Sequence, residues 1–566
     1  MPAVLYASGM AAAVTQRIDA HLVDYVLVGL YFALVLGIGL IARRSVSSSV
    51  DFLLSGRSLP AWITGIAFMS ANLGATELLG QSANGAQYGE QTFHYYWVGA
   101  IPAMVFLGLV MMPFYYGSKV RSVPEFLGRR FDPKTQRLQG VLFAAASILL
   151  AGVNLFAMAI VVNALLGWPT WLAIVVAGVV VLAYTFLGGL SAAIYNEVLQ
   201  FFVIVAAMIP LTLVGLHRVG GWGGLTRGLQ AQPGGDALLR PFPGSELTGI
   251  ANSVGSVIGI VFGLGFVLSF GYWTTNFSEV QRAFSANSPS AAQRTPLIAA
   301  IPKALIALII VIPGMIAAVL VPGIRALREG APTTAAYNDV VPLMLQELLP
   351  NGFLGVALAG LLASFMAGMA ANVSSFNTVF TYDLWQEWAR PGREDRYYLR
   401  VGRLVTVVGT ALAVGTAFIA SRFSNIQDYI QTLASFFNVP LFAVFIVGLF
   451  WKKMTGSAGF WGLLTGTLGA VVVFVLNTAK VFTLSGQGSA FVGGGVAFVL
   501  ALLVSWLASL RGTPPAESKL RGLVWSLTSK KEREVPREPG WYRSPGTLSG
   551  IALGLAAAGY VFFTVV

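Results

Sequence analysis

Apolar runs of about 20 residues recur from Val23 to Val566, separated by short polar breaks. A helix of that length crosses a hydrocarbon layer of about 30 Å. The pattern predicts crossings near 23–42, 58–83, 92–116, 138–166, 169–188, 192–216, 248–275, 297–322, 352–381, 401–420, 427–451, 456–478, 490–510 and 546–566. The expected fold class is therefore an all-α polytopic membrane protein with about 14 transmembrane helices. Met1–Ala20 holds a short apolar stretch without a basic n-region, and reads as an extramembrane tail rather than a cleaved signal.

Two of these runs carry polar and glycine interruptions at mid-membrane depth. In the second, Ser70-Ala71-Asn72-Leu73-Gly74-Ala75-Thr76-Glu77 places an amide, two hydroxyls and a carboxyl within about two helical turns. A carboxylate at that depth costs on the order of several kcal/mol, so it faces a cavity, finds a partner or carries a proton. In the seventh, Gly255, Gly259, Gly263, Gly265 and Gly271 precede Tyr272-Trp273-Thr274-Thr275-Asn276. Close helix packing accounts for the first four glycines as readily as a break does, whereas Gly271, beside polar aromatic residues, is expected to mark unwound backbone. Interrupted spans at the starts of two successive five-helix blocks point to an inverted-repeat transporter with its site at the bilayer midplane. The freed N–H and C=O groups at each break suit a small polar solute or a cation.

The expected organisation follows: a tail over 1–22, a peripheral helix and loop over 23–50, a first repeat over 51–216 and an outer loop over 217–247. A second repeat with one linked helix covers 248–478, and peripheral helices with a basic inner loop at 511–543 cover 479–566.

Composition narrows the class of function. With 56% apolar and 10% charged residues and a mean hydropathy of +0.75, soluble enzymes are excluded. The net charge of +12 resides in the breaks between runs, so no nucleic-acid partner is expected, only the lipid bilayer and a solute. One set of loops holds 26 Lys and Arg and the opposite set eight, which puts the first set in the cytoplasm and both termini outside the cell. The 511–543 loop, with Lys530-Lys531-Glu532-Arg533-Glu534, reads as a solvated inner segment. The chain has no cysteine, which excludes disulfides and thiolate chemistry, and its three histidines are scattered. No catalytic pair or metal-ligand run such as HExxH stands in the spans, so neither an enzyme nor a cofactor is expected.

Four stretches then carry a family resemblance. Gly188-Gly189-Leu190-Ser191-Ala192-Ala193-Ile194 continuing through Tyr195-Asn196-Glu197-Val198-Leu199-Gln200, Tyr272-Trp273 with Val280-Gln281-Arg282, Thr378 with Phe380-Thr381-Tyr382-Asp383, and Gly448-Leu449-Phe450-Trp451-Lys452-Lys453 together resemble the solute:sodium symporter family. Order and spacing are nearest its sodium/glucose and galactose branch, from about Asp51 to about Lys453. The resemblance implies a leucine-transporter-like 5+5 core and sodium-driven alternating access. It also implies a sugar site in which Asn72 and Gln431 supply amides, Lys303 an ammonium and Tyr272 an aromatic face. Those groups suit a hexose, whose hydroxyls need polar partners and whose C–H face needs an apolar one.

The departures matter as much. Where sugar carriers of the family have Glu before Trp, this chain has Tyr96-Trp97, and Glu77 stands where they have His or Gln. Glu77 is thereby placed to take over the missing carboxylate's task from the neighbouring helix. The resemblance also implies a sodium site between Ser70 and Leu73, Ser364 and two adjacent serine positions, which here are Ala367 and Gly368. A second site in some members falls at Ala370 and Ala371, with Glu197 at its acidic position. A hard cation wants about six oxygens, so the two lost hydroxyls leave a weak cage unless water or Asn372 contributes.

The leading expectation is a multi-pass cell-membrane carrier importing a sugar or similar polar solute with Na⁺, needing no obligate protein partner. The alternatives are a carrier of the same fold, uncoupled or coupled to protons through Glu77 or Glu197, for a different polar solute, and, from another class, a membrane sensor on a transporter scaffold.

Overall fold

The computed structural model describes residues 19–421, 425–482, 484–535 and 538–565. Residues 1–18 of the expected tail, and Arg17, Arg422 and Arg537 of the basic count, lie outside the described residues. Among the described residues the chain is helical throughout, its single β-contact being an isolated bridge between Leu59 and Ala286. This is what a lipid environment requires, since helices satisfy their own backbone groups.

Twelve described helices are long and apolar enough to cross a membrane, against an expectation of fourteen. Two local features account for the difference. The expected crossings at 169–188 and 192–216 form one element, Thr170–Val219, bent at Gly189, whose φ of 55° and ψ of −145° only glycine adopts without strain. A Cβ there would also lie 2.4 Å from the Phe52 carbonyl oxygen. The expected crossing at 58–83 is broken: helix Ala61–Asn72 stops at Leu73, and the chain resumes as a wide turn over Thr76–Gln81 and a short helix over Ser82–Tyr88.

The seventh run breaks elsewhere than expected. Gly271 lies inside the helical segment Phe270–Thr275, and its missing side chain admits the Asn438 backbone, 3.2 Å from a would-be Cβ. The interruption falls five residues later at Asn276, with ψ of 107°, ahead of a second helix over Phe277–Phe284. The reason is local: the Asn276 side chain accepts from Ser278 N–H at 3.1 Å and caps the new helix.

The two broken segments pack on one another. Leu59 N–H donates to the Ser285 carbonyl at 3.2 Å and Asn287 N–H to the Leu59 carbonyl at 2.8 Å. Behind them lies helix Phe353–Val379, buried along almost its whole length between Thr170–Val219 and Pro133–Leu166. Small residues permit that approach: a Cβ on Gly360 would lie 2.5 Å from that of Ala207.

Two segments with the charge density of loops are packed, one of them only in part. Residues 279–294 open with the buried turns that carry Glu279 and Arg282, so Arg282 is not a loop charge at all. Arg130, also counted among loop cations, is buried and donates to the Gly448, Trp451 and Met454 carbonyls at 2.7, 2.9 and 3.2 Å. Gly448 is one of the terminal acceptors of helix Ile426–Phe450, and the other two carbonyls follow its end. The 511–543 segment keeps most of its described residues exposed, as expected of a solvated segment, but is anchored at its middle. Leu520, Leu523 and Val524 are buried, Trp525 packs on Phe114 and Phe450, and the Arg533 guanidinium lies 3.9 Å from the Trp525 ring centre. Glu538 further ties this segment to Arg294 at 2.5 Å.

Candidate functional site

The break after Asn72 lies beside a cavity. Asn72, Glu77, Tyr96, Tyr272, Lys303 and Gln431 all line it, so five separate stretches of sequence deliver the six expected solute-binding side chains to one place. Lys303 is the hub. Its ammonium donates to Asn72 Oδ1 and to Glu77 Oε1, each at 2.5 Å. The Tyr96 hydroxyl donates to the other Glu77 oxygen at 2.6 Å. Asn72 Nδ2 donates to the Tyr272 hydroxyl at 3.2 Å, and that hydroxyl donates to Glu279 Oε1 at 3.0 Å.

Glu77 is thus an ionic partner rather than an isolated acid. With Lys303 1% exposed and the Glu77 side chain 7% exposed, each offsets the desolvation cost of the other. The Tyr96 hydroxyl, on the neighbouring segment, orients Glu77.

The remaining wall is amphipathic. The Lys303 ammonium lies 4.8 Å from the Tyr96 ring centre and 4.9 Å from that of Trp273, which shields the charge with π faces while leaving its rim polar. Gln81 Oε1 and both amide atoms of Gln427 line the same space and have no protein partner, although both residues are buried. Unpaired buried amides are costly, and a hydroxylated solute would satisfy them. Gln81, Tyr95 and Gln427 are cavity residues that the sequence pattern did not single out, and Thr76 and Trp273, which stand in the quoted motifs, join them. Gln427 had a signal: it stands four residues before Gln431, on the same helix face.

The expected cation site is differently built from its family pattern. Ser364 Oγ donates to the Leu73 carbonyl, and Ser70 Oγ is buried without a partner. Ala367 and Gly368 are buried and offer no side-chain oxygen. Asn372 does not fill the gap, because its Nδ2 donates to the Gly368 carbonyl at 2.8 Å and its Oδ1 accepts from Ser278 at 3.2 Å.

The space is taken by Asn154, which in the sequence is one residue of a plain span. Its Oδ1 accepts from Ala75 N–H, a donor freed by the break, at 2.9 Å, and its Nδ2 donates to the Leu150 carbonyl at 3.0 Å. A Cβ on Gly368 would lie 2.4 Å from this Oδ1, and one on Gly74 2.5 Å. An amide oxygen therefore stands where a residue-368 side chain would begin. Gly368→Ser is expected to lose about 1–3 kcal/mol of stability by overpacking. Asn154→Ala is expected to lose a similar amount, about 1–3 kcal/mol, by orphaning Ala75 N–H. The double variant should be more stable than either single one, and thermal unfolding in detergent checks this; additive losses would refute the exchange of space.

Glu197 lies outside this site. It pairs with Arg282, both fully buried, and Arg282 also donates to the Ser278 carbonyl at 2.6 Å and to Gln281 Oε1 at 3.3 Å. The residues at the second cation position, Ala370 and Ala371, are buried and bring no side-chain oxygen.

Residues 52–466 match the family profile described as "Sodium:solute symporter family", a stretch that holds both broken helices and every cavity residue named above. The chain belongs to the sodium:solute symporter family. It is a membrane transport protein and not an enzyme. Among its relatives, sodium/glucose cotransporter 4 of Danio rerio is 27% identical over 567 residues, covering 94% of this chain and 85% of that one. The sodium/glucose cotransporter of Vibrio parahaemolyticus is 28% identical over 459 residues, covering 78% and 83%. The structure of a Na⁺-coupled sialic acid symporter in its substrate-bound outward-open state superposes with a TM-score of 0.72 at 17% identity, over 88% of this chain and 99% of that one. This last likeness shows the fold of the symporter core.

Proposed function

We propose that this symporter carries a sugar or a similar polyhydroxylated solute across the cell membrane by alternating access, with Na⁺ as co-substrate. The observation that carries the reading is the cavity at the helix break, where an ammonium, a carboxylate, amides and two aromatic faces converge. Such a set pairs both the donors and the acceptors of a sugar hydroxyl. Asn72, Glu77, Lys303 and Gln431 would hold the hydroxyls, with Tyr96 orienting Glu77. Tyr272 and Trp273 would cover the apolar ring face. Bringing Glu77 to Lys303 alters which hydroxyls find an acceptor, so selectivity should differ from that of relatives with the carboxylate on the next helix.

Sodium would sit near the Leu73 carbonyl, Ser364 and Ser70, with Asn154 Oδ1 as the nearest replacement for the hydroxyls absent at Ala367 and Gly368. The same two absences favour a second reading, in which another ion or none drives the carrier. The basic residues concentrated in one set of loops support a topology with both termini outside.

Uptake of a panel of labelled hexoses into proteoliposomes separates the readings. An inward sodium gradient is expected to give concentrative uptake that an equal potassium gradient does not. Equal, non-concentrative uptake in both salts would remove sodium, and absence of uptake for every hexose would remove the sugar.

A further inference from the structure

We propose that Glu279 is a proton-binding site of the transport cycle, linked to the solute cavity through the Tyr272 hydroxyl. The inference rests on the reading of that cavity as the solute site, and it concerns an acid whose neighbourhood in the sequence has the charge density of a solvated loop.

Glu279 is 2% exposed. Its Oε1 accepts from the Tyr272 hydroxyl at 3.0 Å, and its Oε2 is buried with no partner. The charged and titratable groups around it are Tyr272, Arg282, Glu197 and Lys303. Both cations are already committed: Lys303 donates to Asn72 and Glu77, while Arg282 donates to both Glu197 oxygens, the Ser278 carbonyl and Gln281. Of the helices packed against the segment Phe277–Phe284 that carries Glu279, Ala61–Asn72 and Phe353–Val379 contain no charged residue. Pro289–Leu320 brings Lys303 and, near its start, Arg294, which is held by Glu538. Among these groups there are thus three buried carboxylates, Glu77, Glu197 and Glu279, and two buried cations, Lys303 and Arg282. Glu279 is the one left with a single hydrogen bond. A carboxylate in that position is relieved by binding a proton.

Protonation would change what Tyr272 offers the solute. With Glu279 ionised, the Tyr272 O–H is committed to the carboxylate and its oxygen accepts from Asn72. A proton taken from water on the side to which the cavity opens forms an O–H bond on Glu279, and no other covalent bond changes. The new carboxyl O–H donates to the Tyr272 oxygen beside Asn72. Tyr272, neutral throughout, then has its own O–H free to donate to a solute hydroxyl. Proton and solute therefore bind better together than separately, which is the requirement for coupling. Release of either on the other side favours release of both. Glu77 and Glu197, the acids to which the sequence pointed for this role, each already hold a cation.

The test uses the full chain in two measurements. In proteoliposomes at fixed sodium, an inward proton gradient is expected to raise uptake of the best-carried labelled hexose, and hexose addition should acidify a luminal pH dye. Glu279→Gln should retain hexose exchange and lose both proton effects, because its amide keeps a donor towards Tyr272 but cannot titrate. Separately, pH-difference infrared spectra of the purified protein are expected to show a protonated carboxyl band that Glu279→Gln abolishes. Wild-type proton responses in Glu279→Gln, or infrared spectra that this change leaves unaltered, would overturn the proposal. The band without hexose movement would leave the proton site standing and sink the sugar reading; hexose movement without the band would do the reverse.

Discussion

Replacing Lys303 by Met is expected to abolish concentrative uptake and to destabilise the protein by about 3–5 kcal/mol, the cost of leaving one member of a buried ion pair without the other. Among the described residues the ammonium is the only cation paired with Glu77, and it also holds Asn72 at the edge of the break. Without it, Glu77 keeps the Tyr96 hydroxyl alone and Asn72 Oδ1 loses its donor. Lys303→Arg should not substitute, because the larger guanidinium overfills a space in which a compact ammonium is held between Asn72, Glu77 and the rings of Tyr96 and Trp273. The double variant Lys303→Met/Glu77→Gln separates the two effects. It is expected to recover most of the stability, since no unpaired charge remains, while solute transport stays lost. Thermal unfolding beside hexose uptake reads both. Recovery of transport in the double variant would show that the pair is a packing element and that the solute is bound by other groups.

Arg282→Met is expected to cost as much stability, about 3–5 kcal/mol, for a different reason. Arg282 and Glu197 are both fully buried, and the guanidinium also ties down the Ser278 carbonyl and Gln281. Gln281 in turn reaches the Leu53 carbonyl at 2.9 Å and Thr378 Oγ1 at 2.7 Å, so this pair anchors the second broken helix to two of its neighbours. Arg282→Met/Glu197→Leu should restore stability, because a buried ion pair replaced by apolar residues of similar volume is often neutral. Unfolding midpoints and the yield of monodisperse protein check this. A stable Arg282→Met variant would mean that Glu197 already carries a proton and that the pair is not ionic.

The contrast between these two pairs shows where sequence is informative. Lys303 stands alone in an apolar run, so its burial and its need for an anion are legible in the hydropathy pattern. Glu77 is legible in the same way, and their meeting requires only that two helices be neighbours. Arg282 and Glu279 follow a run that has apparently ended, and charge density there imitates a loop. They are buried because Asn276 restarts a helix that carries them back into the protein. Asn154 has still less signal, being one amide in a long span, and its role exists only because Gly74 and Gly368 leave a gap for it.

The helical class, the division into membrane-length runs, the break after Asn72 and the identity of six cavity side chains were all readable from the order of residues. They follow from local quantities and quoted motifs: run length against bilayer thickness, the cost of a polar residue in hydrocarbon, and the family pattern around them. Where the second break falls, which acid holds which cation, and what fills the space left by missing hydroxyls emerge only once the helices are packed. Those outcomes depend on distances between segments far apart in the chain, and hydrogen bonds that discriminate over a few tenths of an ångström leave no imprint on hydropathy.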